Sequence, residues 1–186
     1  MKQLSFIVFF VCNLLICSAQ TRINYSLFHS EHFSMMGNTA CLFEKNGSPN
    51  RMKKLTFHPD TVLAFSYDPS VMYWSYKDSF YIHFVYFNNF KHVLYYDSFA
   101  LDRKTTLKSV IDYFSVPMSD IDSTLGCMTP LDCRPKKKIF HIVLLDNSSS
   151  SPLWDTSLPN VLVDLYFDNK QRLLAAYFHY KWSVLP

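Results

Sequence analysis

The chain has 186 residues, 49% of them hydrophobic and 18% charged, with a formal net charge of +3. That composition excludes a disordered chain, and 18 basic against 15 acidic residues is too even to argue for nucleic acid or an anionic membrane as partner. Aromatic residues reach 17% while glycines number 3, so the strands should be stiff and the turns short of permissive positions.

Residues 1–19 read as a cleavable secretory signal. Lys2 stands beside the amino terminus, residues 4–16 form an apolar run broken only by Ser5, Cys12 and Asn13, and Cys17, Ser18 and Ala19 are the small residues of a cleavage site. The competing reading is a membrane anchor, but a spanning helix needs about 20 apolar residues, and the polar residues 20–24 arrive too early. A lipidation signal fits less well, because Ile16 stands where a small residue should precede Cys17. Cleavage leaves residues 20–186 as a single globular domain with 17 basic and 15 acidic residues, a periplasmic or extracellular protein with no stable membrane insertion. Three cysteines remain. Cys127 and Cys133, bracketing Pro130, are the expected disulfide, with Cys41 left over; three free buried thiols is the alternative.

In chain order, residues 20–36 have no clear period and suggest an arm or a short helix. Residues 40–44, the turn formers of 45–50 and the apolar residues 55–57 suggest a loose hairpin. From Phe80 the alternation is strong: Phe80, Ile82, Phe84 and Tyr86 on one face, Tyr81, His83, Val85 and Phe87 on the other, both apolar, as in a central strand. Asn88 and Asn89 would turn the chain into residues 93–99 as its antiparallel partner. A helix follows, capped by Thr105 or Thr106, with Leu107, Val110, Ile111 and Phe114 at helical spacing, and ended by Pro117. Asp120 and Asp122 read as loop solvation or capping. Residues 139–145 have strand length and composition, and 147–151 form a polar loop. Residues 161–167 alternate, 168–171 turn, and Leu174, Ala176, Phe178, Tyr180 and Trp182 share a face, giving a closing hairpin. The expected fold is α+β: an antiparallel sheet of about five to seven strands with one to three helices packed on one face.

Chemistry-bearing patterns are sparse. His29, Glu31 and His32 could share one side of a helix, yet they lack the second half of a zinc signature, so a surface pair is the commoner reading and no metal is expected. His83, His141 and His179 sit in strands among apolar neighbours, as structural histidines do. Neither a nucleophile elbow nor a protease cysteine motif is present, and Gly37, Gly47 and Gly126 are too scattered for a phosphate loop, so no cofactor is expected. A triad built from distant residues would leave no such trace. The densest basic patch is Arg134, Lys136, Lys137 and Lys138, the second Arg51, Lys53 and Lys54; such runs are usually solvated, otherwise docking surfaces for an acidic partner. Three tripeptides, at Asn24, Asn46 and Asn147, fit the glycosylation pattern, which matters only in a eukaryotic secretory pathway; a bacterial envelope is the preferred setting.

Residues 105–117, from Thr105 and Thr106 through Phe114 to Pro117, and residues 166–173, with Tyr166, Phe167, Asp168, Asn169 and Lys170 leading into Arg172 and Leu173, resemble the helix and closing hairpin of small periplasmic modules. These are typified by the outer-membrane assembly lipoprotein BamE and the β-lactamase inhibitor protein. Val116 replaces the glycine usual before the helix-ending proline. The resemblance implies helices packed on an antiparallel sheet that binds other proteins without catalysis.

The expected function is therefore an exported, non-enzymatic binding protein, an inhibitor or immunity-type protein acting on a partner enzyme. An exposed cluster of Tyr73, Trp74 and Tyr76, together with the basic residues at 134 and 136–138, would form its interaction surface. The rivals are a hydrolase with a dispersed site around His29, Glu31 and His32, and a structural component of the envelope.

Overall fold

The computed structural model describes residues 21–57, 60–87, 91–126, 137–146 and 161–180. The N-terminal part holds β1 (Arg22–Ile23), a 3-10 turn (Tyr25–Leu27), β2 (Phe28–His29), β3 (Met36–Asn38) and helix α1 (Thr39–Asn46). Four strands follow: β4 (Arg51–Phe57), β5 (Asp60–Asp68), β6 (Val71–Tyr76) and β7 (Ser79–Tyr86). Then come β8 (Leu94–Tyr96), β9 (Phe99–Leu101), helix α2 (Leu107–Phe114), β10 (Ile121–Gly126), β11 (Lys137–Asp146), β12 (Val161–Phe167) and β13 (Leu173–Tyr180).

These strands overturn the expected α+β fold of a five- to seven-stranded antiparallel sheet with helices packed on one face, because most of the described residues are strand. Ten of them form one mixed sheet in the order β1-β11-β12-β13-β7-β6-β5-β4, with β10 also on β11 and β3 also on β7, and β2-β8-β9 form a second sheet of three. The sheet is mixed because β1 runs parallel to β11. Two α-helices are present among the described residues. The shortfall in the expected strand number has a physical source. Strands of two or three residues such as β1 and β3 carry no period of their own and exist only because a neighbouring strand offers them hydrogen bonds.

Helix α2 forms where the spacing places it. Thr106 Oγ1 accepts from Ser109 N–H at 3.0 Å and Ser109 Oγ accepts from Thr106 N–H at 3.0 Å, a reciprocal cap. Ser115 takes the left-handed conformation at its end, just before Pro117. Helix α1 replaces the expected strand at residues 40–44. Asn38 caps it by accepting from Cys41 N–H at 3.1 Å, and Gly47, at φ 75°, closes it with its N–H on Phe43 O at 2.8 Å. Residues 21–36 are no free arm: of the short helix expected there only the 3-10 turn forms, and β1, that turn and β2 dock Ile23, Tyr25 and Phe28 in the core.

Two bulges move side chains between faces. Met72 pairs with Phe84 and Tyr73 with Ile82, so His83 is an extra residue in β7. The expected alternation thus breaks there, and Ile82, Val85 and Phe87, all fully buried, end on the core side. In the closing hairpin Phe167 pairs with Leu173 and Tyr166 with Ala175, which leaves Leu174 half-buried while Leu173 is buried. The expected face therefore holds only from Ala176 to Tyr180, and Trp182 lies outside the described residues. Residues 93–99 do not pair with β7. Its neighbours are β6 on one edge and β13 with β3 on the other, while β8 joins β2 and β9. With so few glycines, Lys77, Asp97 and Gln171 take positive φ in the turns, a position that favours Gly or Asn.

One continuous core includes Ile142, Leu144, Val163, Leu165 and Phe178 of the large sheet, Leu94 and Leu101 of the small one, and Leu107 and Val110 of α2. At the β4 end, Phe43 of α1 stands edge-on to Phe65 at 5.1 Å, and Tyr73 stacks on Phe65 at 5.4 Å. Gly37 lets β3 approach β7 closely: a Cβ there would stand 3.0 Å from the Phe80 ring. Arg103 holds the two sheets together, pairing with Asp168 in the β12–β13 turn and donating to Leu173 O at 2.9 Å. Burial raises the Asp168 pKa, but the Arg172 backbone and the Arg103 guanidinium outweigh it and leave it lowered.

Candidate functional site

A cleft of about 710 Å³ opens between residues 28–36, the C-terminal half of α1, and the ends of β5 and β6. Phe28, Met35, Leu42 and Tyr73, all buried, give it an apolar lining, and His29, Glu31, His32 and Lys45 add charged or titratable groups. Local hydrogen bonds hold this wall in place. Ser30 Oγ–H donates to Val93 O at 2.8 Å and accepts from His32 N–H at 3.2 Å, while Met35 O accepts from Ile82 N–H at 2.8 Å. His29 Nδ1–H donates to Leu27 O at 3.2 Å, and its ring stacks on Tyr95 at 5.2 Å. Met36, 50% exposed, and Tyr67, whose hydroxyl donates to Gly47 O at 2.9 Å, also line the cleft.

The buried wall beneath is pinned by a chain of polar groups. Tyr25 N–H donates to Asp146 Oδ1 at 2.9 Å, the Tyr25 hydroxyl meets Tyr180 Oη at 2.9 Å, and Tyr180 Oη–H donates to Ile82 O at 2.6 Å. Because the Tyr180 proton goes to Ile82, Tyr25 is the donor between the two hydroxyls. Burial raises both phenol pKa values well above the ordinary one, so the two hydroxyls stay protonated.

A second cluster spans the neighbouring strands β11, β12 and β13. His179 Nε2 lies 2.9 Å from Asp164 Oδ2 and His141 Nε2 lies 3.4 Å from Oδ1. Both nitrogens are buried, and each stands close to one oxygen of the same carboxylate. Burial opposes ionisation of Asp164, but the two imidazoles more than offset it and bring its pKa down to about 2. His141 stacks on Tyr166 at 4.6 Å, and burial, the Asp164 charge and Tyr177 push the Tyr166 phenol up to about 12. His83 lies edge-on to His179 at 6.0 Å and stacks on Trp74 at 3.6 Å. Its Nδ1–H donates to Phe178 O at 3.1 Å, beside the bulge where the ladder is interrupted. Burial brings its pKa down to about 4, against the Phe178 carbonyl and with the help of His179. Among the described residues no group of three or more His, Cys, Asp or Glu side chains could hold a metal ion.

The residues singled out in sequence separate in space. Tyr73 and Trp74 are buried and Tyr76 is half-buried. Tyr73 packs against Phe65 and lines the cleft, whereas Trp74 stacks on His83, so the three rings do not form one exposed cluster. Cys127, Cys133, Arg134 and Lys136 lie outside the described residues, as does the Lys137 side chain; Lys138 is exposed, with Nζ 4.9 Å above the Phe140 ring. Cys41 is an exposed free thiol. His29, Glu31 and His32 do meet at one cleft. The apolar lining supplied by Leu42 and Tyr73, and the pairing of Asp164 with His141 and His179, depend on chain packing and strand register that no local pattern carries.

No known family profile matches the chain, and no curated protein matches it in sequence. Among solved structures, a "putative beta-lactamase inhibitor protein" of Streptococcus mutans overlaps 86% of this chain and 90% of that one, at 14% identity and a TM-score of 0.26. A score that low does not establish a shared fold, and the resemblance to periplasmic inhibitor modules has only this weak neighbour behind it. Among the described residues no helix is long and apolar enough to cross a membrane.

Proposed function

We propose that the chain is an exported binding protein of the inhibitor or immunity type, which seats part of a protein partner in the cleft beside residues 28–36. The carrying observation is the cleft itself: an open volume of about 710 Å³ with buried Phe28, Met35, Leu42 and Tyr73 in its lining and a mixed polar set around them. Concave, apolar surface with a few fixed polar groups is what a partner's anchoring side chain requires. Met36→Arg tests this at an exposed position, where a charge alters the cleft without entering the core. The unchanged domain, recovered from envelope or medium, should retain one stoichiometric protein partner, and Met36→Arg should retain at most about a tenth as much. Equal retention by both proteins would remove the cleft from the interface.

A second reading, a hydrolase, is favoured by one observation: His29, Glu31 and His32 all line the same cleft. No hydrogen bond joins these three side chains to one another among the described residues, and His29 is engaged with Leu27 and Tyr95. If they are catalytic, the double variant His29→Ala, His32→Ala should lose at least about a hundredfold of any hydrolytic activity found in the domain. Unchanged activity would exclude them.

A further inference from the structure

Strand β4 closes one end of the ten-stranded sheet and, among the described residues, pairs with β5 alone. It is a long edge by the standards of natural sheets. Seven consecutive residue pairs, from Arg51 with Ser66 to Phe57 with Asp60, run without a bulge, and no proline interrupts it. Proteins ordinarily shorten, bulge, cover or charge such an edge, because its outward N–H and C=O groups template another strand; β4 has the charge alone, which bars like-charged strands and leaves an oppositely charged one free to pair. Here Arg51, Met52, Lys53, Lys54 and Thr56 are all exposed, Met52 by 53%.

We propose that β4 is a docking edge for an extended, acidic segment of a partner protein, which joins the large sheet as an additional strand. Charge selects the occupant. Arg51 and Lys53 project from one face of the edge and Lys54 from the other, since alternate residues of a strand face opposite ways. On the Lys54 side lies a second cleft of about 720 Å³, lined also by Lys77, Thr39, Ser75 and Asp78, beside the N-terminal end of α1. A basic edge repels a second copy of itself, whose β4 would set Arg51, Lys53 and Lys54 against their own kind. It likewise discourages basic strands. An acidic strand gains on both faces, and its backbone completes the ladder in the manner of strand addition. Residues 127–136 and 147–160 carry one acidic group each, Asp132 and Asp155, too few to match the basic edge. The proposal is independent of the cleft beside residues 28–36.

The probe is a fluorescein-labelled peptide of alternating Glu and Val, of the length of β4, titrated into the whole secreted chain and followed by anisotropy. Two controls accompany it: the same sequence with Lys for Glu, and the Glu peptide N-methylated at alternate residues, which keeps its charge but loses backbone donors. The Glu peptide should bind saturably. Changing Arg51, Lys53 and Lys54 together to Glu should weaken it about tenfold or more, and backbone amide exchange in β4 should slow on binding. Neither control should bind. Failure of the Glu peptide to bind overturns the proposal; equal binding of the N-methylated form overturns strand pairing; equal binding of the Lys peptide overturns the choice of an acidic partner.

Discussion

Phe178→Ala is expected to lower the unfolding free energy by about 3–5 kcal/mol, the range for removing a fully buried ring. Phe178 is inaccessible to solvent in β13, where it pairs with Val163 of β12 just beyond the residues that pair with β7. Strand pairing with β12 and the packed rings of the N-terminal segment limit how far the site can close over the space a ring leaves, so the cavity persists. The ring also holds the N-terminal segment, meeting Phe28 at 5.5 Å and Tyr25 at 6.0 Å, both edge-on. Each such pair contributes about 0.5–1.5 kcal/mol beyond burial. Urea unfolding measures the loss, and amide exchange at residues 25–29 should rise along with it, because those residues dock on this ring. The exposed Met72→Ala on β6, which β7 separates from β13, should stay within about 0.5 kcal/mol of the unchanged protein. A loss below about 1.5 kcal/mol for Phe178→Ala would mean that the site collapses and the N-terminal segment is held elsewhere.

The contrast between α2 and α1 shows what the chain declares locally. For α2 the apolar spacing, the threonine cap and the following proline all lie within a dozen residues and agree, and the helix forms there. In α1 the residues 40–43 are apolar without a period, and the deciding signals are Asn38 before them and Gly47 after them, which also suit a hairpin. The β12–β13 hairpin was legible because alternation brackets a turn built on Asp168, whose Oδ1 accepts from Lys170 N–H and Arg172 N–H. Its bulge at Leu174 was not, nor was the one at His83, because an extra residue leaves the composition of a strand unchanged while reversing its faces. Strand β10 was hidden in the same way. Asp122 reads as loop solvation or capping, yet it is paired with His141. Of the candidate cleft, the sequence marked the polar residues at 29, 31 and 32, since chemistry shows in residue type. Leu42 and Tyr73 come from separate elements, and only packing makes them its lining.

Acidification should destabilise the protein in two separable stages, governed by His83 and then by Asp164. His83 has its pKa lowered from 6.5 to about 4 in the folded protein, so the unfolded chain binds the proton more tightly. Its neutral form is accommodated at neutral pH, and stability falls as the pH drops from about 6.5 towards 4. A shift of that size corresponds to a loss on the order of 3 kcal/mol. Stacking on Trp74 would favour an imidazolium by about 0.5–2 kcal/mol, too little to reverse the cost of burying it. Asp164 acts in the next window. With its pKa lowered from 3.8 to about 2, the folded state favours the carboxylate, and this contribution, on the order of 2 kcal/mol, is complete above about pH 4 and lost as the pH falls through 2. Stability measured by urea unfolding across this range should therefore decline in both windows. His83→Gln should flatten the decline between about pH 6.5 and 4 and leave the lower one, whereas Asp164→Asn should flatten the lower one. The neutral-pH cost of each substitution is separate from its pH slope, so the slopes discriminate even if both variants are less stable. A His83→Gln curve parallel to that of the unchanged protein down to pH 4 would show that His83 is free to charge in the fold, contrary to its burial between Trp74, His179 and the Phe178 carbonyl.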